Sequence, residues 1–263
     1  MKKFTQNFLH FLRIKVAHQK MSRILCSVLV VMIWIFNNNT NAQDADTVMP
    51  IALCKDINVN LSSGGGCGGE RVLLLWDVIN AHTLSLRNAI QAAGYVVTMP
   101  AVPEYQWDGA NPALDEFAAV IHLNGTTYND HLPLSGQNAL VDFVLNKGKA
   151  FIHNEWDANN VDWNTSQITM EPIIIIKRVS ATSNFMNYTK VPSAATHPVL
   201  SGLPESFSFY AGANIGPIRP YATNPATAIM TDQNGSAAVA VRDFGAGRVV
   251  GFNHAGNYAG SGC

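Results

Sequence analysis

Residues 71–78 read RVLLLWDV. An unbroken apolar run bounded by polar residues is the pattern of a strand covered on both faces, and such strands belong to parallel sheets. Working outward, the spacing of Leu84, Leu86, Ile90 and Ala93 predicts a helix over Thr83–Ala93, stopped at Gly94. Tyr95–Met99, ended by Pro100, predicts a second strand, and Phe117–Leu123 (FAAVIHL), entered through Asp115-Glu116, a third. Ser135–Asn146 reads as an amphipathic helix with Leu140, Phe143 and Val144 inward, capped by Ser135 and closed near Gly148. Lys149–Glu155 (KAFIHNE) is the fourth strand. Repeated strand–helix–strand units build a largely parallel sheet with helices on both faces.

After Asn159 the rhythm loosens. Glu171–Val179 (EPIIIIKRV), Thr227–Asp232, Ser236–Arg242 and Arg248–His254 predict strands, with Asn234-Gly235 as a hairpin turn between two of them. The second half is therefore expected to be a partly antiparallel extension of the sheet.

The chain has 263 residues, 48% of them hydrophobic and 13% charged, enough for one substantial domain and an appendage. Its net charge of -1 hides an asymmetry. Lys2, Lys3, Arg13, Lys15, Lys20 and Arg23 precede residue 43, and no acidic residue does. The body from Gln43 onward is acidic, which makes nucleic acid an unsuitable partner. The basic start leads into the apolar run Ile24–Phe36, too short for a membrane span, then into polar residues and Thr40-Asn41-Ala42. That order is the build of a secretory signal peptide over 1–42, with an overlong basic region before Met21. Contact with a membrane is expected through this segment alone, and the protein is expected to be secreted, at the cell surface or in a periplasm.

Residues 43–69 read as a linker ending in SSGGGCGG. Gly65-Gly66-Cys67-Gly68-Gly69 spells a cysteine nucleophile elbow, but such an elbow follows a strand and opens a helix. Cys67 has loop before it and the first core strand after it, so it is a linker cysteine. Cys54 and Cys67 either close a local disulfide or remain thiols, Cys263 is left over, and Cys26 is a small apolar residue of the leader.

In open parallel sheets the site lies at the carboxyl ends of strands, near the point where strand order reverses. By position the end of Lys149–Glu155 is the candidate. The turn there reads Ile152-His153-Asn154-Glu155-Trp156, without cysteine or serine. His153 and Glu155 are two apart and share a strand face, as two metal ligands, an acid/base pair or satisfied strand-end polar groups. His254, at the end of the last strand, is suited to acid/base work near neutral pH. Asp77 and Asn124 end the first and third strands, as loop caps or ligand hydrogen-bonders. Trp156, a candidate ligand-binding residue, precedes the polar stretch DANNVDWN, to which Asp157 and Asp162 belong and which reads as a loop whose tryptophan and carboxylates suit a sugar-facing surface or are simply solvated. His197 is a turn residue, and His82 and His122 are cap and sheet positions without a role.

The order RVLLLWD, FAAVIHLNG, GKAFIHNEWD, THPVLSGLP and GAGRVVGFNHAGNY resembles the class I glutamine amidotransferase-like superfamily, and within it the trehalose-utilisation (ThuA-like) branch. The resemblance runs from Arg71 to Tyr258, with Thr196–Pro204 and Gly245–His254 carrying its segments and Asn253 standing where the family often has glycine. It implies an α/β fold, a flavodoxin-like three-layer sandwich with a mostly parallel sheet and a partly antiparallel C-terminal extension. It also implies a further helix after Cys263, so that the domain 70–263 is read as cut short. Glutamine hydrolysis needs a Cys–His–Glu triad whose thiol is absent from the elbow. The expected function is then a non-catalytic glycan-binding or interaction module of a cell-surface or secreted protein, with a carbohydrate or small polar ligand as its expected partner. The alternative is a carbohydrate-processing enzyme using His254 with His153 and Glu155, with or without metal assistance. No cofactor or metal ligand set is assigned.

Overall fold

In a computed structural model, which describes residues 69–221 and 224–254, the opening apolar run forms β1 (Arg71–Leu75). The segments read as signal and linker, up to residue 68, and all four cysteines lie outside the described residues. Side chains of β1 divide between two cores. Val72 and Leu74 pack with Leu86 and Ile90 of α1 (Ala81–Ala92), whereas Leu73 and Leu75 pack with Leu140, Phe143 and Val144 of α2 (Leu134–Leu145). Successive strand side chains point to opposite faces, so the two helices cover opposite faces of the sheet.

The chain continues through β2 (Val96–Thr98), β3 (Ala119–His122), β4 (Ala150–His153) and α3 (Glu155–Asp162). It then adds β5 (Ser180–Lys190), β6 (Ser206–Ile215), β7 (Thr227–Thr231), β8 (Ala237–Phe244) and β9 (Gly247–Phe252). All belong to one nine-stranded sheet of order β2-β1-β3-β4-β9-β8-β7-β5-β6. From β2 to β9 neighbours run parallel, and every pairing from β9 outward is antiparallel. The result is a mixed α/β sheet with an antiparallel C-terminal part. Strand order reverses between β1 and β3, not at β4 where the sequence reading put it.

Several boundaries move for local reasons. Asn80 caps α1 by accepting from the Thr83 amide at 2.9 Å, and Gly94, at φ 94°, terminates it. Ser135 is not a cap: α2 begins at Leu134 behind Pro133, whose side chain offers no hydrogen bond, and Ser135 lies within the first turn. The stretch read as the loop DANNVDWN is largely α3, because Asn154 and Asp157 form a capping box that starts a helix there. For the same reason Glu155 is a helical residue and shares no strand face with His153.

EPIIIIKRV is not a strand. A 3-10 helix covers Ile168–Ile173 and contains Pro172, which cannot donate to a ladder. The following isoleucines are buried against the α2 face, and of them Ile176 makes one isolated bridge, to Ile218. The ribbon of β5 and β6 was invisible in the sequence. Its alternation, Phe185 out, Met186 in, Asn187 out, Tyr188 in, is masked because one of its two outward residues is a large apolar ring facing water. Thr189 and Lys190 alone of β5 join β7, yet Ala213 of β6 bridges His254 beyond β9. With β8, β7 and β5 between β9 and β6 in the sheet, that bridge requires the ribbon to curl over the carboxyl edge. Among the described residues no helix is long and apolar enough to cross a membrane.

Phe151 sits at the centre of this arrangement, fully buried on β4, its ring 6.4 Å from those of both His122 and His153. Phe151→Ala is expected to cost about 3–5 kcal/mol, read from the urea midpoint. A loss under about 1 kcal/mol would contradict the packing described.

Candidate functional site at the carboxyl edge

The reversal between β1 and β3 brings Asp77 and Asn124 to neighbouring strand ends. The Asp77 carboxylate accepts from the amides of Val78 and Thr126, both at 2.7 Å, and so staples the β3–α2 loop to the end of β1. Burial raises its pKa, against the lowering effect of those amides. Asn124 is fully buried, and its carbonyl accepts from Asn154 Nδ2 at 3.0 Å. Both polar atoms of its side chain are buried without a hydrogen-bond partner among the described residues.

Beneath them lies a group the sequence reading passed over. His122, fully buried on β3, has Nε2 at 3.2 Å from Glu104 Oε2 and Nδ1 at 2.6 Å from Asp157 Oδ1, both carboxylates also buried. Burial alone would depress this imidazole, but the charges and hydrogen bonds of Asp157 and Glu104 prevail and raise its pKa to about 10. Glu104 is itself raised by burial, with His122 opposing. Asp157 also accepts from the Asn154 amide at 3.0 Å, so one carboxylate caps α3 and binds the imidazole.

Asn154 occupies the strand-to-helix turn where an elbow would present its nucleophile. Its Oδ1 accepts from the Trp156 amide at 2.8 Å, making it a cap rather than a reactive group. His153 spends both ring nitrogens on main chain: Nε2 accepts from the Ile175 amide at 3.0 Å, which leaves Nδ1 to donate to the Asn154 carbonyl at 3.2 Å. Burial lowers its pKa to about 4. The ring fits because residue 251 is glycine, where a Cβ would stand 2.4 Å from Nε2. Glu155 is buried and pairs with Arg178 at 3.0 Å. Burial raises its carboxyl to about 7 against the pull of that guanidinium. Trp156 stacks on Tyr128 at 4.9 Å and lies 5.0 Å from the Arg178 guanidinium.

At the end of β9, His254 is buried among Tyr188, Phe209 and Phe252. Its Nδ1 lies 2.7 Å from Tyr188 Oη, which also bonds Asn253 Oδ1. Burial pushes the imidazole down to about 3 and the phenol up, the latter assisted by Asp232 and Glu155. The His254 carbonyl accepts from the Glu155 amide at 3.2 Å, tying β9 to the start of α3.

The structure thus joins Asn124, Asn154, Glu155, Trp156, Asp157 and His254 through direct contacts at one edge, with Asp77 anchoring the adjacent loop. Glu104, Arg178, Tyr188 and Tyr128 were missed because their partners are distant in sequence, whereas Trp163 belongs to the DANNVDWN stretch read as sugar-facing. For Asp157 the signal was present: an asparagine three residues before an aspartate marks a helix start. His197 accepts from the Val199 amide at 3.2 Å and heads a 3-10 turn. It lines a cleft of about 430 Å³ with Ser193, Thr196, Thr227 and Asp243, at the amino end of β7 and the carboxyl end of β8, away from this edge. Among the described residues no three His, Cys, Asp or Glu side chains are grouped to hold a metal ion.

No protein-family model matches the chain, and no curated protein matches it. Among solved structures, a ThuA-like protein from Bacteroides uniformis aligns at a TM-score of 0.53 and 12% identity, over 74% of this chain and 86% of that one. A cytoplasmic protein from Salmonella typhimurium aligns at 0.49 and 13% identity, over 70% of this chain and 87% of that one. A β-galactosidase from Rahnella aligns at 0.47 and 14% identity, over 71% of this chain and 28% of that one. At such identities the likeness is one of fold, and the fold is ThuA-like.

Two pH dependences follow. His122 has a folded pKa above its ordinary 6.5, so its stabilisation is complete below that value and is lost as pH rises toward about 10. His122→Asn should remove this alkaline decline and cost about 3–5 kcal/mol at neutral pH, by stranding two buried carboxylates. Glu155, raised from 4.5 to about 7, stabilises fully below 4.5 and progressively less as pH climbs through 7. Glu155→Gln should flatten thermal stability between pH 5 and 8. Denaturation followed across pH for both variants checks each sign.

Proposed function

We propose that the chain is an exported, non-catalytic module that binds a carbohydrate or small polar ligand at the carboxyl edge of a flavodoxin-like three-layer domain. The order β2-β1-β3-β4-β9, with α1 and α2 on opposite faces, supports the flavodoxin-like assignment. The basic, then apolar, then small-residue start supports export. One observation carries the non-catalytic reading: the edge imidazoles are occupied by the protein itself. Both nitrogens of His153 serve main chain, both of His122 face carboxylates, and Nδ1 of His254 meets a phenol. An imidazole depressed to about 3 or 4 stays neutral at working pH and titrates far from the range a general acid/base needs. The elbow holds a capping amide, and Asn124 supplies a buried carboxamide beside it.

The alternative, a carbohydrate-processing enzyme, draws on one specific feature. A carboxyl held near 7, as Glu155 is, has the poise of a general acid. The purified chain should bind members of a glycan panel and release no chromophore from aryl glycosides between pH 5 and 8. Turnover that disappears in Glu155→Gln would replace the binding reading with the enzymatic one.

A further inference from the structure

Four planar groups from distant parts of the chain form one continuous run of contacts at the rim of this edge. Tyr128, in the loop after β3, stacks on Trp156 at 4.9 Å and 22°. The Arg178 guanidinium lies 5.0 Å from the Trp156 ring and 4.4 Å from the Trp163 ring. Glu155 holds the same guanidinium at 3.0 Å, while Arg178 Nε is buried without a hydrogen-bond partner among the described residues. π faces and one carboxylate therefore fix this cation in place of a full set of hydrogen bonds.

The inner members are the more covered, with Trp156 half-buried, and the outer ones are exposed. Arg178 is 8% exposed, whereas Tyr128 is 41% and Trp163 52% exposed. Each outer ring is followed by exposed hydrogen-bonding residues, Asn129 and Asp130 after Tyr128, Asn164 and Thr165 after Trp163. Thr165 is held at φ 55°, a conformation unfavourable for a β-branched residue. Rigid rings half in water, with amide, carboxylate and hydroxyl alongside, match a pyranose, whose C–H face stacks while its hydroxyls bond. A polyanion fits poorly, because Glu155 offsets the cation of the stack and Asp130 adds negative charge.

We propose that Tyr128 and Trp163 are two sugar subsites of one site for a neutral glycan chain, with Arg178 as the positioning residue that fixes their spacing. This rests on the binding-module reading and adds the ligand class and the residues that hold it. Two separated stacking faces make affinity depend on chain length, since a short sugar engages one ring and a longer chain both.

The test titrates the 263-residue chain with xylo-, manno- and malto-oligosaccharides of two to six units, following heat and tryptophan fluorescence. Affinity should climb with length and then level off. Trp163→Ala and Tyr128→Ala should each weaken binding of the longest ligand at least tenfold. Arg178→Lys, which keeps the charge and loses the plane, should weaken it severalfold and reduce the length dependence. Wild-type affinity in the Tyr128→Ala/Trp163→Ala double variant, with an unchanged melting curve, would overturn the subsites and leave the binding module standing. A wild-type chain that binds none of the three series overturns the subsites together with the carbohydrate part of the binding reading.

Discussion

The arrangement at the carboxyl edge depends on one buried imidazole held between two buried carboxylates. His122 belongs to β3, Glu104 to the segment after β2, and Asp157 to the first turn of α3. Three ionisable groups out of water are costly, and mutual attraction offsets that cost only when each has its partners within hydrogen-bond reach. Removing any one member strands the others, so the trio acts as a position lock more than a source of net stability. Through Asp157 the lock extends to the Asn154 amide, and through the Asn154 side chain to the Asn124 carbonyl. The turn after β4, the end of β3 and the start of α3 are thereby set relative to one another. Every group at the rim is placed on that foundation.

Much of the parallel half could be read from the chain, because its signals are local. RVLLL, AVIH and AFIH are short runs buried on both faces, and the α1 and α2 patterns repeat at helical spacing. The antiparallel half could not, for reasons visible in individual residues. Phe185 faces water at 64% exposure while Tyr188 is buried beside polar neighbours, so hydrophobicity and burial diverge along β5. The four isoleucines before Lys177 suggest a strand, yet Pro172 and the packing against α2 make them filler under the site. The site divides in the same way. Asp77, Asn124 and His254 were legible as strand ends, since strand ends follow from strands. The partners of His122 and Arg178 were not, because charge pairing across distant loops leaves no local pattern.

An imidazole near a sheet edge invites an acid/base reading, and this edge illustrates when the inference weakens. What decides the chemistry is the unspent capacity of each nitrogen, more than proximity to a crevice. His153 takes a main-chain proton on one side and gives its own on the other, orienting the Ile174–Ile176 segment over β4. His254 sits among aromatic rings that keep it neutral. The rim above them is different in kind: rings and amides that can meet a ligand without exchanging a proton with it.

The position of β9 has a bearing on how the molecule assembles. It pairs with β4, but the whole β5–β8 excursion separates the two along the chain. Entropy of closing so long a loop must be met before the pairing contributes anything. β1 through β4 with α1 and α2 contain mostly near-neighbour contacts, so their docking can precede arrival of the last strand. Until then β4 presents an unprotected hydrogen-bonding margin, a natural seat for a chaperone or for mispairing with another chain.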